Sequence, residues 1–157
     1  MFKKFFGEKN EKDTDKFFEQ PIEGELLRLE DVPDPVFSKK MLGDGFAVNP
    51  ESGTVVSPLD GEVVSVFPTM HAIGLRDTTG TELLIHIGLE TVGLEGQGFT
   101  SFVEDGQKVK KGQKLMEVDF ESIKEKVPSI ISPVVFTNLK DNEKIVLSEN
   151  GATLTQN

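Results

Sequence analysis

Residues 72–87 read AIGLRDTTGTELLIHI. The four residues 77–80 have the composition of a tight turn, and they separate two apolar segments, 72–76 and 81–87. Side chains alternate between the two faces of a strand, so His86 points away from the leucine and isoleucines on either side of it. We therefore predict a β-hairpin here, with a histidine on one face and an apolar row on the other.

Strand-like sequence continues on both sides of this hairpin. From Pro21 onward, short β-branched runs are interrupted by Gly, Pro and Asp, which is typical of many strands joined by tight turns. Residues 21–29 and 58–66 both place a Pro-x-acid-Gly-Glu turn before an apolar strand, which we interpret as a short duplication.

Helix-forming sequence is scarce. Asp34 and Pro35 fit the N-cap and first residue of a short helix over 35–42, and Asp119 fits the cap of a second over 120–126. The predicted fold is all-β, an antiparallel β-sandwich that is partly barrel-like and has a few short helical turns.

The 157 residues suggest one domain, preceded by a tail. Residues 1–20 hold five of the twelve phenylalanines and many charges without a strand pattern, so we divide the chain into a flexible tail, 1–18, and a single domain, 19–157. The basic and aromatic residues 1–6 can favour weak contact with an anionic membrane surface, although a solvated tail explains them equally well.

Composition excludes several kinds of function. The net charge of −10 disfavours nucleic-acid binding, and the lack of cysteine excludes disulfides, thiolate metal sites and thiol nucleophiles. The sequence shows neither a signal peptide nor an apolar run long enough to span a bilayer, so we expect a cytoplasmic protein.

His71 and His86, the two histidines of the chain, are the natural candidates for reactive groups. If the carbonyl of Gly88 accepts the Nδ1 proton of His86, its Nε2 becomes an oriented nucleophile, and the hydroxyl of Thr69 can orient His71 similarly. A lone histidine is more often structural, but here each has an orienting neighbour. Sequence spacing does not establish that the two rings meet.

At these residues the chain resembles the glucose-class enzyme IIA family of the phosphoenolpyruvate-dependent sugar phosphotransferase system. The likeness runs from about residue 21 to at least 147. The stretches that carry it are LEDVPD (29–34), GDG (43–45), SPLDG (57–61), TMHA (69–72), LIHIGLETV (84–92), GF (98–99), GQKVKKG (106–112) and SPVV (132–135).

The resemblance implies a phosphotransferase component with a phosphohistidine intermediate and no direct use of ATP. In such proteins the residue matching His86 accepts a phosphoryl group on Nε2 from the phosphocarrier HPr. It then donates the group to a cysteine of a sugar-specific IIB domain of a membrane permease. The histidine matching His71 faces the first across a shallow depression and supports the transfer.

The resemblance also implies a partner-docking rim, and no cofactor is required. Glu90 is also one of the docking residues that the resemblance implies, although it departs from the aspartate usual in the family. A pair of imidazoles is half of a zinc site, so we expect zinc binding at His71 and His86 to be weak without a partner carboxylate. An apolar residue is more often ordinary core than docking surface, and for Phe37 and Phe67 the two alternatives are about equal. The apolar residues that match rim positions are Val36, Phe37, Met41, Leu42 and Phe67.

Two other functions remain to be weighed on the residues. A biotinyl or lipoyl carrier has similar glycine-containing hairpins, but the chain lacks a lysine motif at an exposed hairpin tip. A zinc peptidase needs about three protein ligands, and neither His-x-His nor His-Glu-x-x-His spacing occurs.

Overall fold

The computed structural model describes residues 15–156, and most of its regular elements are strands. The strands are β1 Lys16–Glu19, β2 Ile22–Arg28, β3 Gly45–Val56, β4 Gly61–Val66, β5 Ala72–Asp77, β6 Glu82–His86, β7 Phe99–Ser101, β8 Lys108–Val109, β9 Lys114–Val118, β10 Ser132–Phe136, β11 Glu143–Ser148 and β12 Gly151–Gln156. The helices are α1 Pro35–Ser38 and α2 Phe120–Ile123, and the 3-10 turns are Leu29–Asp31 and Thr91–Leu94.

The strands form two antiparallel sheets. The small sheet has the order β1-β12-β11, and the large sheet has the order β7-β9-β3-β10-β6-β5-β4-β8, with β2 also paired to β3. The predicted all-β class, with only short helical segments among the described residues, is confirmed.

The hairpin predicted for residues 72–87 is β5–β6. Asp77 organises its turn, because Oδ1 accepts hydrogen bonds from the backbone N–H groups of Thr79 and Thr81, each at 2.9 Å. In the ladder, Ile73 lies opposite Ile85, and Ala72 lies opposite His86. The register therefore fixes which side chains of the two strands share a face.

Two apolar clusters cover the two faces of this part of the sheet. The isoleucines and leucines of β5 and β6 that point inward belong to the large core, together with Phe46 and Phe136. Leu84 points outward and packs on a smaller cluster that contains Leu29, Phe37 and Val135. His86 shares this outward face. Residues of α1 and of the chain that leads into it therefore lie on one side of His86.

Both short helices have the caps that the sequence predicts, but they end early. Asp34 Oδ1 accepts from the N–H of Val36, and Asp119 Oδ1 accepts from that of Ser122. After α1, Lys40 has a left-handed φ of 59°, which interrupts the helical path short of the predicted residue 42.

The boundary predicted for the tail needs correction. Residues 16–18 lie in β1 and pair with β12, and Lys16 Nζ donates to the hydroxyls of Thr79 and Thr81, each at 2.6 Å. The apolar Phe18 is buried by this pairing, which a solvated tail does not allow. Residues 1–14, on which the predicted membrane contact falls, lie outside the described residues.

Across residues 15–156, none of the helices is both long enough and apolar enough to cross a membrane.

Candidate functional site

His86 is the last residue of β6, and its ring is held by the chain that follows it. Nδ1 lies 2.7 Å from the carbonyl oxygen of Gly88. A carbonyl has no proton to give, so Nδ1 carries the proton and donates it, and the lone pair of the neutral ring lies on Nε2. The ring of Phe37 packs against the imidazole with the centroids 5.1 Å apart.

His71 lies in the loop between β4 and β5 rather than in a strand. Its Nδ1 is 2.5 Å from Thr69 Oγ1, and its ring meets that of Phe67 edge-on at 5.4 Å. Strand alternation carried back from Ala72 puts residue 71 on the face opposite to His86. His71 precedes the first residue of β5 and does not follow this alternation, because its ring lies beside that of His86. Met70, immediately before it, has a left-handed φ of 59°.

The two imidazoles meet. Their centroids are 5.1 Å apart and the ring planes are 78° apart. In each ring a nearby group, the Gly88 carbonyl or the Thr69 hydroxyl, engages Nδ1, so Nε2 is the nitrogen that these contacts leave for chemistry.

The electrostatics favour neutral rings. Burial lowers the pKa of His86 from the ordinary value, and the hydrogen bond to Gly88 and the negative charge of Asp34 oppose that shift in part. Burial also lowers the pKa of His71, and the neighbouring His86 lowers it further. Both imidazoles therefore have unprotonated nitrogen near neutral pH, which is the form that can act as a nucleophile.

The residues predicted for the docking rim divide into two groups. Val36, Met41 and Leu42 are exposed, with Met41 at 69% and Leu42 at 45% of their full accessible area. Phe67 is half-buried beside His71. Phe37 is only 6% exposed, because its ring belongs to the outer apolar cluster and packs against His86, so of its two alternatives the structure favours core over exposed rim.

Three more residues, Glu90 of the predicted docking set among them, lie on the chain segments that carry the site. Glu90 is exposed and has a left-handed φ of 59° immediately before the 3-10 turn Thr91–Leu94. Sequence reasoning missed Val92, which is 53% exposed on that turn, although it lies in the stretch that carries the resemblance. Asp34 was interpreted only as a helix cap, but its charge also acts on His86.

The site offers two imidazoles, those of His71 and His86, as possible metal ligands. Within the described part of the chain, no group of three or more His, Asp or Glu residues is arranged to hold a metal ion. The expectation that zinc binds weakly therefore stays a prediction.

Comparison with known proteins identifies the family. The sequence profile described as "phosphoenolpyruvate-dependent sugar phosphotransferase system, EIIA 1" matches residues 16–142. The chain belongs to this family. It is thus an EIIA component of a sugar-transporting phosphotransferase system, and the resemblance found in the sequence is confirmed.

The relatives agree with this assignment over almost the whole chain. A "PTS system glucose-specific EIIA component" of Staphylococcus epidermidis is 48% identical over 149 residues, covering 95% of this chain and 90% of the relative. One of Bacillus cereus with the same description is 50% identical over 145 residues, covering 92% and 87%.

Two further matches concern fusion and fold. The "PTS system glucosamine-specific EIICBA component" of Bacillus subtilis is 52% identical over 131 residues, which are 83% of this chain but 21% of that protein. The solved structure of glucose permease IIA from Mycoplasma capricolum superposes with a TM-score of 0.82 at 42% identity, covering 91% of this chain and 92% of that one. The fold of this EIIA component is therefore that of a known IIA protein.

Proposed function

We propose that this EIIA component is a cytoplasmic phosphoryl carrier, which accepts a phosphoryl group from phospho-HPr on Nε2 of His86 and passes it to the cysteine of a sugar-specific IIB domain. The observation that carries the proposal is the 2.7 Å hydrogen bond between His86 Nδ1 and the carbonyl of Gly88. It commits the proton to Nδ1 and leaves the Nε2 lone pair for phosphorus.

The proposed reaction consists of two displacements. In the first, Nε2 attacks phosphorus, and the phosphorus–nitrogen bond of phospho-HPr breaks as its electron pair returns to the HPr imidazole. In the second, the thiolate of the IIB cysteine attacks phosphorus and the electron pair returns to Nε2. Both donor and acceptor are side chains, so the transfer requires no cofactor.

In the proposed mechanism, His71 assists the transfer and does not attack phosphorus. Phosphoryl transfer depends chiefly on positioning and on stabilising the charge of the transferred oxygens. With a centroid 5.1 Å from that of His86, the His71 ring can hydrogen-bond the oxygens of a phosphoryl group on Nε2 once it is protonated. Thr69 holds this ring in position through its Nδ1 contact.

Reversible docking of two successive partners suits the surface around the histidines. Exposed apolar residues occur on two segments near the histidines in sequence or contact, with Val36, Met41 and Leu42 in and after α1 and Val92 on the 3-10 turn after Gly88. Asp34 and Glu90 add a carboxylate to each segment. An apolar patch with charged groups around it is typical of interfaces that form and dissociate readily. The relatives of known description are glucose-specific or glucosamine-specific, and the choice of sugar belongs to the IIB and membrane partners.

The test is phosphotransfer from phosphoenolpyruvate in a mixture of enzyme I, HPr and the chain, followed by transfer to a IIB domain. We expect an acid-labile, base-stable phosphate on wild type and none on His86→Ala. His71→Gln keeps a hydrogen-bond donor without a titratable ring, so it should accept the phosphate but donate it slowly to IIB. Labelling of His71, or labelling by ATP without HPr, would contradict the proposal.

A further inference from the structure

The peptide group between Ile87 and Gly88 is held at both ends by buried side chains. Thr91 Oγ1 donates to the carbonyl of Ile87 at 2.5 Å, and the N–H of Gly88 donates to Ser132 Oγ at 3.0 Å. Thr91 and Ser132 are both 0% exposed. Burying a hydroxyl costs free energy unless it is hydrogen-bonded, so these two hydrogen bonds contribute to the stability of the fold.

The hydroxyl of Ser132 is itself oriented. It donates to the carbonyl of Ile130 at 2.9 Å, which leaves a lone pair of Oγ to accept the N–H of Gly88. Ser57 offers a contrast, because this equally buried serine has a hydroxyl that donates to Leu59 within its own turn and contacts no part of the candidate site.

The next peptide group carries the carbonyl that binds His86. Its N–H, that of Leu89, donates to the carbonyl of Ser129 at 2.9 Å, so this peptide is also fastened to the segment before β10. Gly88 joins the two peptides with a left-handed φ of 69°, and a Cβ added to it would lie 2.8 Å from Cγ2 of Thr91. Thr91 thus closes over Gly88 as well as bonding its preceding peptide.

These contacts connect two core hydroxyls to the reactive ring. If either hydroxyl is lost, a buried backbone group loses its partner, and rotation about Gly88 can restore hydrogen bonding elsewhere at the expense of the carbonyl direction. The Nδ1 proton of His86 then has a poorer acceptor, and an imidazole without such a partner populates both of its neutral tautomers.

We propose that Ser132 and Thr91 are positioning residues, which fix the Gly88 peptide so that its carbonyl keeps the Nδ1 proton of His86 in place. The inference rests on the proposed role of His86 as the phosphoryl acceptor. Neither residue touches the ring, and the distance of 44 residues between Gly88 and Ser132 along the chain makes this a connection of the tertiary structure.

The test compares the tautomer of His86 with its rate of phosphorylation. Imidazole 15N chemical shifts of the unphosphorylated chain at about pH 8, where the rings are neutral, report which nitrogen carries the proton. In Ser132→Ala and Thr91→Val we expect the His86 shifts to move towards a mixture of tautomers. Phosphorylation by phospho-HPr should slow roughly 3- to 10-fold, the range for one hydrogen bond.

Two controls separate positioning from loss of stability. Ser57→Ala removes a hydroxyl of equal burial and should keep the wild-type shifts and rate, and Thr91→Ser retains the hydroxyl and should restore the shifts that Thr91→Val loses. If Ser132→Ala does not fold, the Thr91 pair decides alone.

Wild-type shifts in both Ser132→Ala and Thr91→Val would overturn the inference. The shift measurement needs no partner protein, so a failure of wild type to accept phosphate contradicts the proposed function and leaves the positioning test intact.

Discussion

The rings of His71 and His86 stand nearly perpendicular, with centroids 5.1 Å apart. One comes from a loop and the other from the end of a strand, and each has its Nδ1 engaged by a residue two positions away in sequence. Because the interaction between two charges is mutual, protonation of either imidazole makes protonation of the other less favourable. This relationship leads to the first two predictions.

The stability of the protein should depend on these histidines at mildly acidic pH. Both folded-state pKa values lie below the ordinary value of 6.5, so the unfolded chain binds more protons than the folded chain near that pH. Their contribution is therefore present above about pH 6.5 and is lost as the pH falls below it.

Urea unfolding at about pH 7.5 and about pH 5.5 measures this effect. Wild type should lose more free energy of unfolding between the two conditions than the double variant His71→Gln, His86→Gln, which shares all the carboxylates. Equal losses in the two proteins would show that the histidines titrate normally.

Phosphorylation of His86 should raise the pKa of His71, which is lowered in the unphosphorylated protein. A phosphoryl group on Nε2 places about two negative charges beside the His71 ring, and a nearby anion favours the protonated imidazole. We expect the pKa of His71 to rise in the phosphorylated protein, as measured by an NMR titration of its imidazole resonances. The same titration of Thr69→Val, which loses the Nδ1 contact, should show a smaller rise in the pKa of His71 because the ring is less well held. An unchanged pKa in phosphorylated wild type would place His71 away from the phosphoryl oxygens.

Gly88→Ala should be unusually costly for a glycine substitution in a left-handed conformation. Such a conformation alone costs an alanine about 1 kcal/mol, and here the added Cβ also meets Cγ2 of Thr91 at 2.8 Å. We expect a loss of about 2–3 kcal/mol in the free energy of unfolding and slower phosphorylation by phospho-HPr.

The matched control for that substitution is Gly112→Ala. Gly112 has a similar φ of 87°, but a Cβ built on it has no neighbour within 4 Å. It should therefore show the conformational cost without the steric one, and it should be phosphorylated at the wild-type rate. If both variants are destabilised equally, Thr91 yields easily and does not pack closely on Gly88.

Met41→Glu should weaken docking without affecting the fold. The side chain is 69% exposed, so little packing is lost, but a charge replaces apolar area on the segment that already carries Asp34. We expect a higher KM for phospho-HPr with a melting temperature within a few degrees of wild type. Val146→Glu, at a residue 43% exposed on β11, makes the same change on another surface and should leave KM unchanged; equal effects of the two substitutions would point to overall charge rather than to a docking surface.

Contacts between residues only a few positions apart could be predicted from the sequence. The alternation in residues 82–86 placed His86 on the outward face, and a separation of two residues made the Gly88 carbonyl a candidate partner. Turn and cap residues such as Asp77 and Asp34 also act within a few positions along the chain. The physical reason is that hydrogen bonds of this kind are set by local backbone geometry, which residue type and spacing largely dictate.

The tertiary structure decided what depends on long-range packing. Residues 16–18, predicted as tail, form part of strand β1. The sequence did not indicate this strand because its partner, β12, lies at the far end of the chain. Phe37 is buried because it packs on His86 and the outer apolar cluster, and exposure of an apolar residue cannot be deduced from its type.

The sequence by itself thus determined an antiparallel β fold, a histidine on its outward face and the group that can hold its Nδ1 proton. Only the tertiary structure brought His71 to that histidine and placed Ser132 against the Gly88 peptide. Local backbone preferences act over a few residues, whereas the meeting of two side chains from different strands depends on the register of the whole sheet.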